Sequence, residues 1–436
     1  MRLIGNKSRL LQDIEDFLRD RGVLGGIFID IFSGTGSVGR HFKELGYRVV
    51  ANDRLSVCFT KAVAGIEVCR YPNFAGLRRK HRAAFESGAA RERQFFQSDL
   101  FGDDPGDGGR PPRGSRAAHS ALRLAQLLDF LQNRLEPREG LIYRNYCPGG
   151  GHGRKYFRDE NGRRVDAILH FLRENHRGGL LTRGELHVLL SSLVDAVDRV
   201  ANISGTYGAY LKSWQRNALA PIKLKLPKVT ESPLRHRAFR EDANQLVRKL
   251  RGDILYIDPP YNRRQYAANY HVLEIIAEYH TVDDLDAYEA MLYGKTGLRP
   301  YQDLKSSYCI PPTTRSRSRL SHGGDVLSAM TDLILSSKVR HVLVSYNEEG
   351  LLTREELGAI LCRFSGQRLF NFKENMRAMS YRRFCSDSDR SVGAEKGKRQ
   401  YRVLEGKTRG EISEWLLFAS RGSGKASHRK ASQAKR

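Results

Sequence analysis

Asp258-Pro259-Pro260-Tyr261 is the tetrapeptide in this chain best suited to chemistry. It follows the apolar run Ile254-Leu255-Tyr256-Ile257, which reads as a buried strand. The two prolines fix φ and carry no N–H, so the adjacent carbonyls are held rigidly and stay available as acceptors. Asp258 and the Pro259 carbonyl can each accept one N–H of a planar amine, and Tyr261 offers a stacking face. That arrangement suits the binding of an exocyclic amine on a flat ring such as a base. An ordinary strand-to-loop turn is the plainer alternative, and a second motif upstream weighs against it.

That motif is Phe28-Ile29-Asp30-Ile31-Phe32-Ser33-Gly34-Thr35-Gly36. A short apolar strand runs into a glycine turn, with a helix expected over Ser37 to Leu45. Gly34 and Gly36 permit positive φ and close ligand approach. A second strand, Tyr47 to Asn52, ends at Asp53, the place where nucleotide-binding sheets hold ribose hydroxyls. Gly39 completes a dinucleotide-like glycine spacing, so an NAD site is an alternative. Asp30 argues against it, because a carboxylate there repels a pyrophosphate and attracts an ammonium group such as that of a methionine moiety.

With both motifs in this order, the chain resembles the alpha-class, Dam-type DNA adenine-N6 methyltransferases that use S-adenosylmethionine. The resemblance covers most of the chain. Ile4-Gly5-Asn6-Lys7-Ser8 is similar to the motif ahead of the glycine turn, with Leu3 where these enzymes often carry an aromatic. It implies a cofactor site made of Gly5, Lys7, Asp30, Phe32, Ser33, Gly34, Gly36, Asp53, Arg54 and Asp242. Asp53 would bind ribose and Asp242 would face the adenine ring. Catalysis would fall to Asp258, Pro259, Pro260 and Tyr261, with no metal. The implied fold is α/β: a doubly wound Rossmann-like methyltransferase sheet with a mostly helical target-recognition insertion. The implied substrate is an adenine flipped out of double-stranded DNA. Cytosine-N4 or an RNA amine remains open from the tetrad alone, as does a binding protein that has kept the fold.

Composition is consistent with a polyanion partner. Lys plus Arg number 74 against 49 acids in 436 residues, a formal charge of +25. The sequence has no apolar run long enough to span a membrane and no signal-peptide core, so a cytoplasmic, nucleoid-associated protein is expected. The six cysteines show no paired spacing, and Cys147 with His152 is too little for a zinc site. One cofactor site and one insertion are enough for one strand at a time, so a monomer is expected. Whether a cognate restriction endonuclease accompanies it is open.

The sheet pattern breaks near residue 70 and resumes near 237. Residues 1–70 and 237–420 are therefore expected to form the catalytic domain, 71–236 the insertion, and 421–436 a disordered basic tail. Within the insertion, Leu122, Leu127, Leu128 and Leu131 share one helical face, and Val165, Ile168, Leu169 and Leu172 share another. Thr182 with Glu185 reads as a capping box opening a helix with Leu186, Leu189, Leu190, Leu193 and Val197 as its stripe. These stripes are expected to be core. Tyr143-Arg144-Asn145-Tyr146 and the glycine-rich stretch to Tyr156 are candidate base or phosphate contacts, and Lys212 to Arg216 is a second cluster. Gln265, Tyr266 and Asn269 are candidates for the lip over the flipped base. Gly294 to Arg299 lacks the spacing of a phosphate loop.

Overall fold

The computed structural model describes residues 7–86, 115–314, 324–382 and 411–422. The glycine-turn and tetrad strands lie in one seven-stranded sheet of order β3-β2-β1-β4-β5-β7-β6. The strands are β1 (Ile27–Asp30), β2 (Arg48–Asn52), β3 (Arg237–Phe239), β4 (Gly252–Ile257), β5 (Val339–Asn347), β6 (Met376–Arg382) and β7 (Glu411–Ser420). The first five are parallel. β7 inserts antiparallel between β5 and β6.

The central strands are apolar on both faces because both faces are covered. Ile29, Leu255, Ile257, Val342 and Val344 bury one face under helices Ala243–Lys249, Val326–Ser336 and Arg354–Ser365. Phe28, Ile254, Tyr256, Leu343 and Leu416 bury the other under Leu11–Arg19 and Ser37–Glu44. Phe28 stacks on Phe42 at 4.0 Å. This alternation has the period of two that a strand imposes.

β1 lies between β2 and β4, with Asp30 opposite Ala51 on one side and Tyr256 on the other. The chain leaves these strands in opposite directions across the sheet, so a crevice opens at their carboxyl ends. Asp30, Asp53 and Asp258 all sit at that edge.

Between β2 and β3 the described residues form no named strand. They fold into helices, the longest being Arg116–Asp129, Asp159–Arg177 and Arg183–Val200. The expected leucine stripes are core, apart from Leu122, which is only partly buried. Thr182 and Glu185 form the capping box. The sequence boundary at 236/237 does not bound this core. Tyr270, Leu273, Ile276 and Leu304, beyond the tetrad, pack into the same cluster. The helical unit therefore recruits a chain segment placed above with the sheet, because helix His271–Glu278 turns its apolar side toward the insertion.

Candidate active site

A cleft holding about 1200 Å³ of space, partly open to solvent, lies over the carboxyl ends of β1, β2 and β4. Its lining contains all four tetrad residues together with Lys7, Asp30, Phe32, Ser33, Gly34, Asp53, Arg54 and Asp242. Gly36 caps the start of helix Ser37–Glu44 with φ of 74° and is not in the lining. Gly5 lies outside the described residues.

The glycine turn is shaped by backbone need. Gly34 has φ of 51°, and an added Cβ there would meet nothing within 4 Å. Its N–H instead donates to Asp53 Oδ2 at 2.9 Å, while Leu55 N–H donates to Oδ1 at 3.0 Å. The Cys58 side chain and the Arg54 N–H also bond this carboxylate, which lines the cleft. Gly39, by contrast, is a packing glycine: a Cβ would come within 2.5 Å of Ile66 Cδ1. Its N–H donates to Asp30 Oδ2 at 3.2 Å.

Asp30 is fully buried, and its Oδ1 has no hydrogen-bond partner among the described residues; nor does the buried Ser33 hydroxyl. Burial, then the charges of Asp258 and Asp53, push the Asp30 pKa up to about 8 against the one bond from Gly39. Burial also raises Asp53. Three carboxylates converging on one crevice make a site for a cation and a poor one for a pyrophosphate. This removes the physical basis for the NAD alternative.

Asp258 is held from the side. Lys7 Nζ lies 2.9 Å from its Oδ1 and 3.0 Å from Glu414 Oε1 on β7. Ser345 donates to the same Glu414 oxygen at 2.6 Å. Burial alone would lower the Lys7 pKa, but Asp258 and Glu414 outweigh it and hold it well above the ordinary value. Burial raises the Asp258 pKa, Lys7 pulls it back and Glu414 pushes it up again; the balance lies above the ordinary carboxylate range. Tyr261 is half-buried, and its carbonyl accepts from Leu351 N–H at 3.1 Å, which fixes the end of the tetrad.

Expected residues meet an unmarked one, Tyr308, in the rest of the cleft lining. Tyr308 packs edge-on against Phe32 at 4.9 Å and donates to Asn244 Oδ1 at 2.7 Å. Asp242 is the N-cap of Ala243–Lys249, accepting from Asn244 and Gln245 N–H. Arg54 lies 3.4 Å from Asp242 and also donates to the Asp303 carbonyl. Glu241 lines the cleft as well. Gln265 and Tyr266 line it at the lip, and Gln265 exchanges hydrogen bonds with the Ser306 backbone. Asn269 is not in the lining; its carbonyl accepts from Tyr207 N–H.

One group of expected DNA contacts is corrected. Tyr143, Asn145 and Tyr146 are buried in helix Leu141–Tyr146, and Arg144 pairs with Glu289. Arg154 is buried and donates to the carbonyls of Asn145, Gly294 and Lys295. Arg and Tyr mixed with Gly read as an open loop, but here they serve packing. In the second cluster, Lys212 and Arg216 are exposed while Trp214 is half-buried. The basic tail from 423 onward lies outside the described residues. Among those residues, no cluster of three or more His, Cys, Asp or Glu is arranged to hold a metal. No described helix is long and apolar enough to cross a membrane.

A parallel sheet with an inserted antiparallel β7, an acid-and-glycine turn after β1 and a proline tetrad after β4 define a base-amine methyltransferase. The family description "D12 class N6 adenine-specific DNA methyltransferase" matches residues 3–356, and the chain belongs to that family. It is 36% identical over 362 residues to the Type II methyltransferase M.FokI of Planomicrobium okeanokoites, which covers 83% of this chain and 46% of that protein. It is 33% identical over 390 residues to the Type II methyltransferase M.NlaIII of Neisseria lactamica, covering 89% of this chain and 93% of that one. Modification methylase StsI of Streptococcus sanguinis is 31% identical over 408 residues, or 93% of this chain and 51% of that protein. The chain thus spans about half the length of M.FokI and StsI and nearly all of M.NlaIII. No solved structure matches it.

Proposed function

We propose that this chain methylates adenine N6 at specific sites in double-stranded DNA, with S-adenosylmethionine as the donor. The observation that carries this reading is the shared cleft: the tetrad after β4 faces the same space as the glycine turn after β1. The family match favours adenine over cytosine-N4 or an RNA amine.

The residues present fit the donor. The unpartnered Asp30 Oδ1 and the Ser33 hydroxyl suit its ammonium group. Asp53 lines the cleft where ribose hydroxyls would lie, and Phe32, Tyr308 and Asp242 surround room for a flat ring. S-adenosylmethionine supplies an electrophilic methyl group, so positioning of the acceptor amine accounts for much of the rate.

The protein's part is to hold that amine. Adenine N6 is inaccessible in a stacked duplex, so the base must be extruded, at a cost of a few kcal/mol. Asp258 and the Pro259 carbonyl accept its N–H groups, and Tyr261 stacks on the ring. These bonds turn the nitrogen lone pair toward the methyl group. Once methylated, the nitrogen is cationic, and its extra proton passes through the Asp258 carboxylate to solvent. The helical unit around 71–236 is the part that reads the DNA.

The test is transfer of label from S-adenosylmethionine to unmethylated duplex DNA, with the nucleosides identified by mass spectrometry. Label on adenine N6 is expected from the wild type and none from Asp258→Ala, with both proteins folded. Equal labelling by the two would remove Asp258 from the mechanism.

A further inference from the structure

The turn after helix Leu285–Ala290 is built more firmly than an ordinary surface loop. Tyr293 and Leu298 exchange both backbone hydrogen bonds, at 3.0 and 2.9 Å, and close a tight hairpin. Gly294 and Gly297 take φ of 70° and 66°. Three buried side chains grip the turn from beneath. Arg154 donates to Gly294 O at 3.0 Å and to Lys295 O at 3.2 Å. Tyr146 donates to Gly297 O at 2.5 Å. His271 Nε2 lies 3.2 Å from Thr296 O. A Cβ on Gly297 would come within 2.7 Å of Arg154, so the grip leaves no slack.

Burying a guanidinium against carbonyls costs several kcal/mol of desolvation. A loop that only connects two helices has no need of such a support. What the support presents to solvent is Met291 at 50% exposure, Tyr293 at 45%, and the exposed ammonium of Lys295. Rigid aromatic and apolar side chains beside a cation match the two components of nucleic-acid contact, stacking and phosphate pairing.

The location agrees. His271 lies two residues beyond the end of the lip helix Tyr266–Asn269, and Gln265, Tyr266 and Ala267 line the cleft. The same lip is bonded to a second exposed loop through Tyr207 N–H and Asn269 O, at 2.7 Å. The turn is thus tied to the segment that borders the extruded base.

We propose that residues 291–298 form a rigid DNA-contacting finger, with Lys295 on a backbone phosphate and Tyr293 against the nucleotide neighbouring the extruded adenine. This rests on the methyltransferase reading above. The side chains of Tyr293 and Lys295 are exposed, so truncating either leaves the fold and the cofactor cleft in place.

The experiment compares wild type with Tyr293→Ala, Lys295→Ala and a control, Lys338→Ala. Lys338 is exposed just before β5, at the sheet edge opposite the cleft. Binding to a fluorescent 30-base-pair duplex is followed against salt, and initial rates are measured on unmethylated plasmid DNA. Lys295→Ala is expected to reduce the log–log salt slope by about one, and Lys338→Ala to leave it unchanged. Tyr293→Ala is expected to raise the KM for DNA about tenfold, with the KM for S-adenosylmethionine unchanged. Wild-type slope and DNA KM in both finger variants would overturn the proposal. Absence of methylation by the wild type would instead strike the parent reading, while the salt slopes would still decide the finger.

Discussion

Lys7 Nζ sits between Asp258 and Glu414, 2.9 Å from one carboxylate and 3.0 Å from the other. The three residues come from the amino terminus, the end of β4 and β7. Two acids sharing one buried cation are interdependent: Glu414 carries no exposed surface, so Lys7 is both its charge partner and the strut for Asp258.

Removing Lys7 should therefore expose a cost in Glu414. Lys7→Ala is expected to lose about 3–5 kcal/mol of stability, the usual penalty for breaking a buried pair from one side. Glu414→Gln added to it should recover part of that loss. A double-mutant cycle by urea unfolding measures the coupling. Strictly additive single losses would mean that Lys7 and Glu414 are not one unit. Activity gives an independent readout: Glu414→Gln should lower kcat more than it alters the KM for S-adenosylmethionine, because Glu414 acts on Asp258 through Lys7.

Asp30 should report cofactor entry as proton release. Its pKa of about 8 in the open site leaves it mostly protonated at pH 7. An ammonium group at Oδ1 favours the charged form, so binding should expel close to one proton. S-adenosylhomocysteine titrated calorimetrically at pH 7, in two buffers of different ionisation heat, measures this directly. Asp30→Asn should release none. The stability consequence has a definite sign. A carboxyl whose folded pKa is raised contributes most at low pH, and that contribution is lost as pH rises from about 4 to about 8. The difference in melting temperature between wild type and Asp30→Asn should shift against wild type across that window. A pH-independent difference would show that Asp30 does not titrate there.

Tyr308 is expected to act as a wall of the cofactor cleft. Tyr308→Ala removes the ring that meets Phe32 and should weaken S-adenosylhomocysteine binding about tenfold or more, on the scale of roughly 1–3 kcal/mol for a lost stacking face. Tyr308→Phe keeps the ring and loses only the hydroxyl, with its bond to Asn244 and its longer contact to the Ala329 carbonyl. Its affinity should stay within about threefold of wild type, a single hydrogen bond being worth about 1 kcal/mol. Unchanged affinity in the alanine variant would place the cofactor elsewhere in the cleft.

What was legible in the sequence was what a local run of residues dictates. Asp258 to Tyr261 and Asp30 to Gly36 each carry their geometry in consecutive residues, through prolines that fix φ and glycines that take it positive. The helical stripes were legible because burial repeats with the period of the helix. Glu414, Tyr308 and Glu274 had no such signal. Each is a single residue brought to the site by pairing or packing far along the chain, and a lone buried acid in Ser413-Glu414-Trp415 looks like any strand polar residue. Arg154 shows the opposite failure. Its neighbours read as a solvated DNA-contacting loop, whereas two of its partners are carbonyls some 140 positions away. Composition does not distinguish an arginine facing water from one that satisfies a distant turn.

Glu274 should prove to be a positioning residue for the cofactor side of the cleft. It lies on helix His271–Glu278, and its two oxygens accept from Ser56 and Val57 N–H at 2.9 and 2.8 Å. Those N–H groups open the helix that follows Asp53, whose own carboxylate accepts from Leu55. A residue of the post-tetrad segment thus caps the helix that follows Asp53, the acid proposed above to meet ribose. Burial, then Glu278, raises the Glu274 pKa to about 7 against these two bonds, so the cap works under electrostatic load. Glu274→Ala leaves two buried donors without it and should cost about 2–4 kcal/mol of stability. It should also raise the KM for S-adenosylmethionine several-fold, with little change in kcat. Glu274→Gln keeps one acceptor oxygen and should fall between alanine and wild type on both measures. A stability loss with no change in KM would make Glu274 a fold residue only, because the link to Asp53 would then carry nothing to the site.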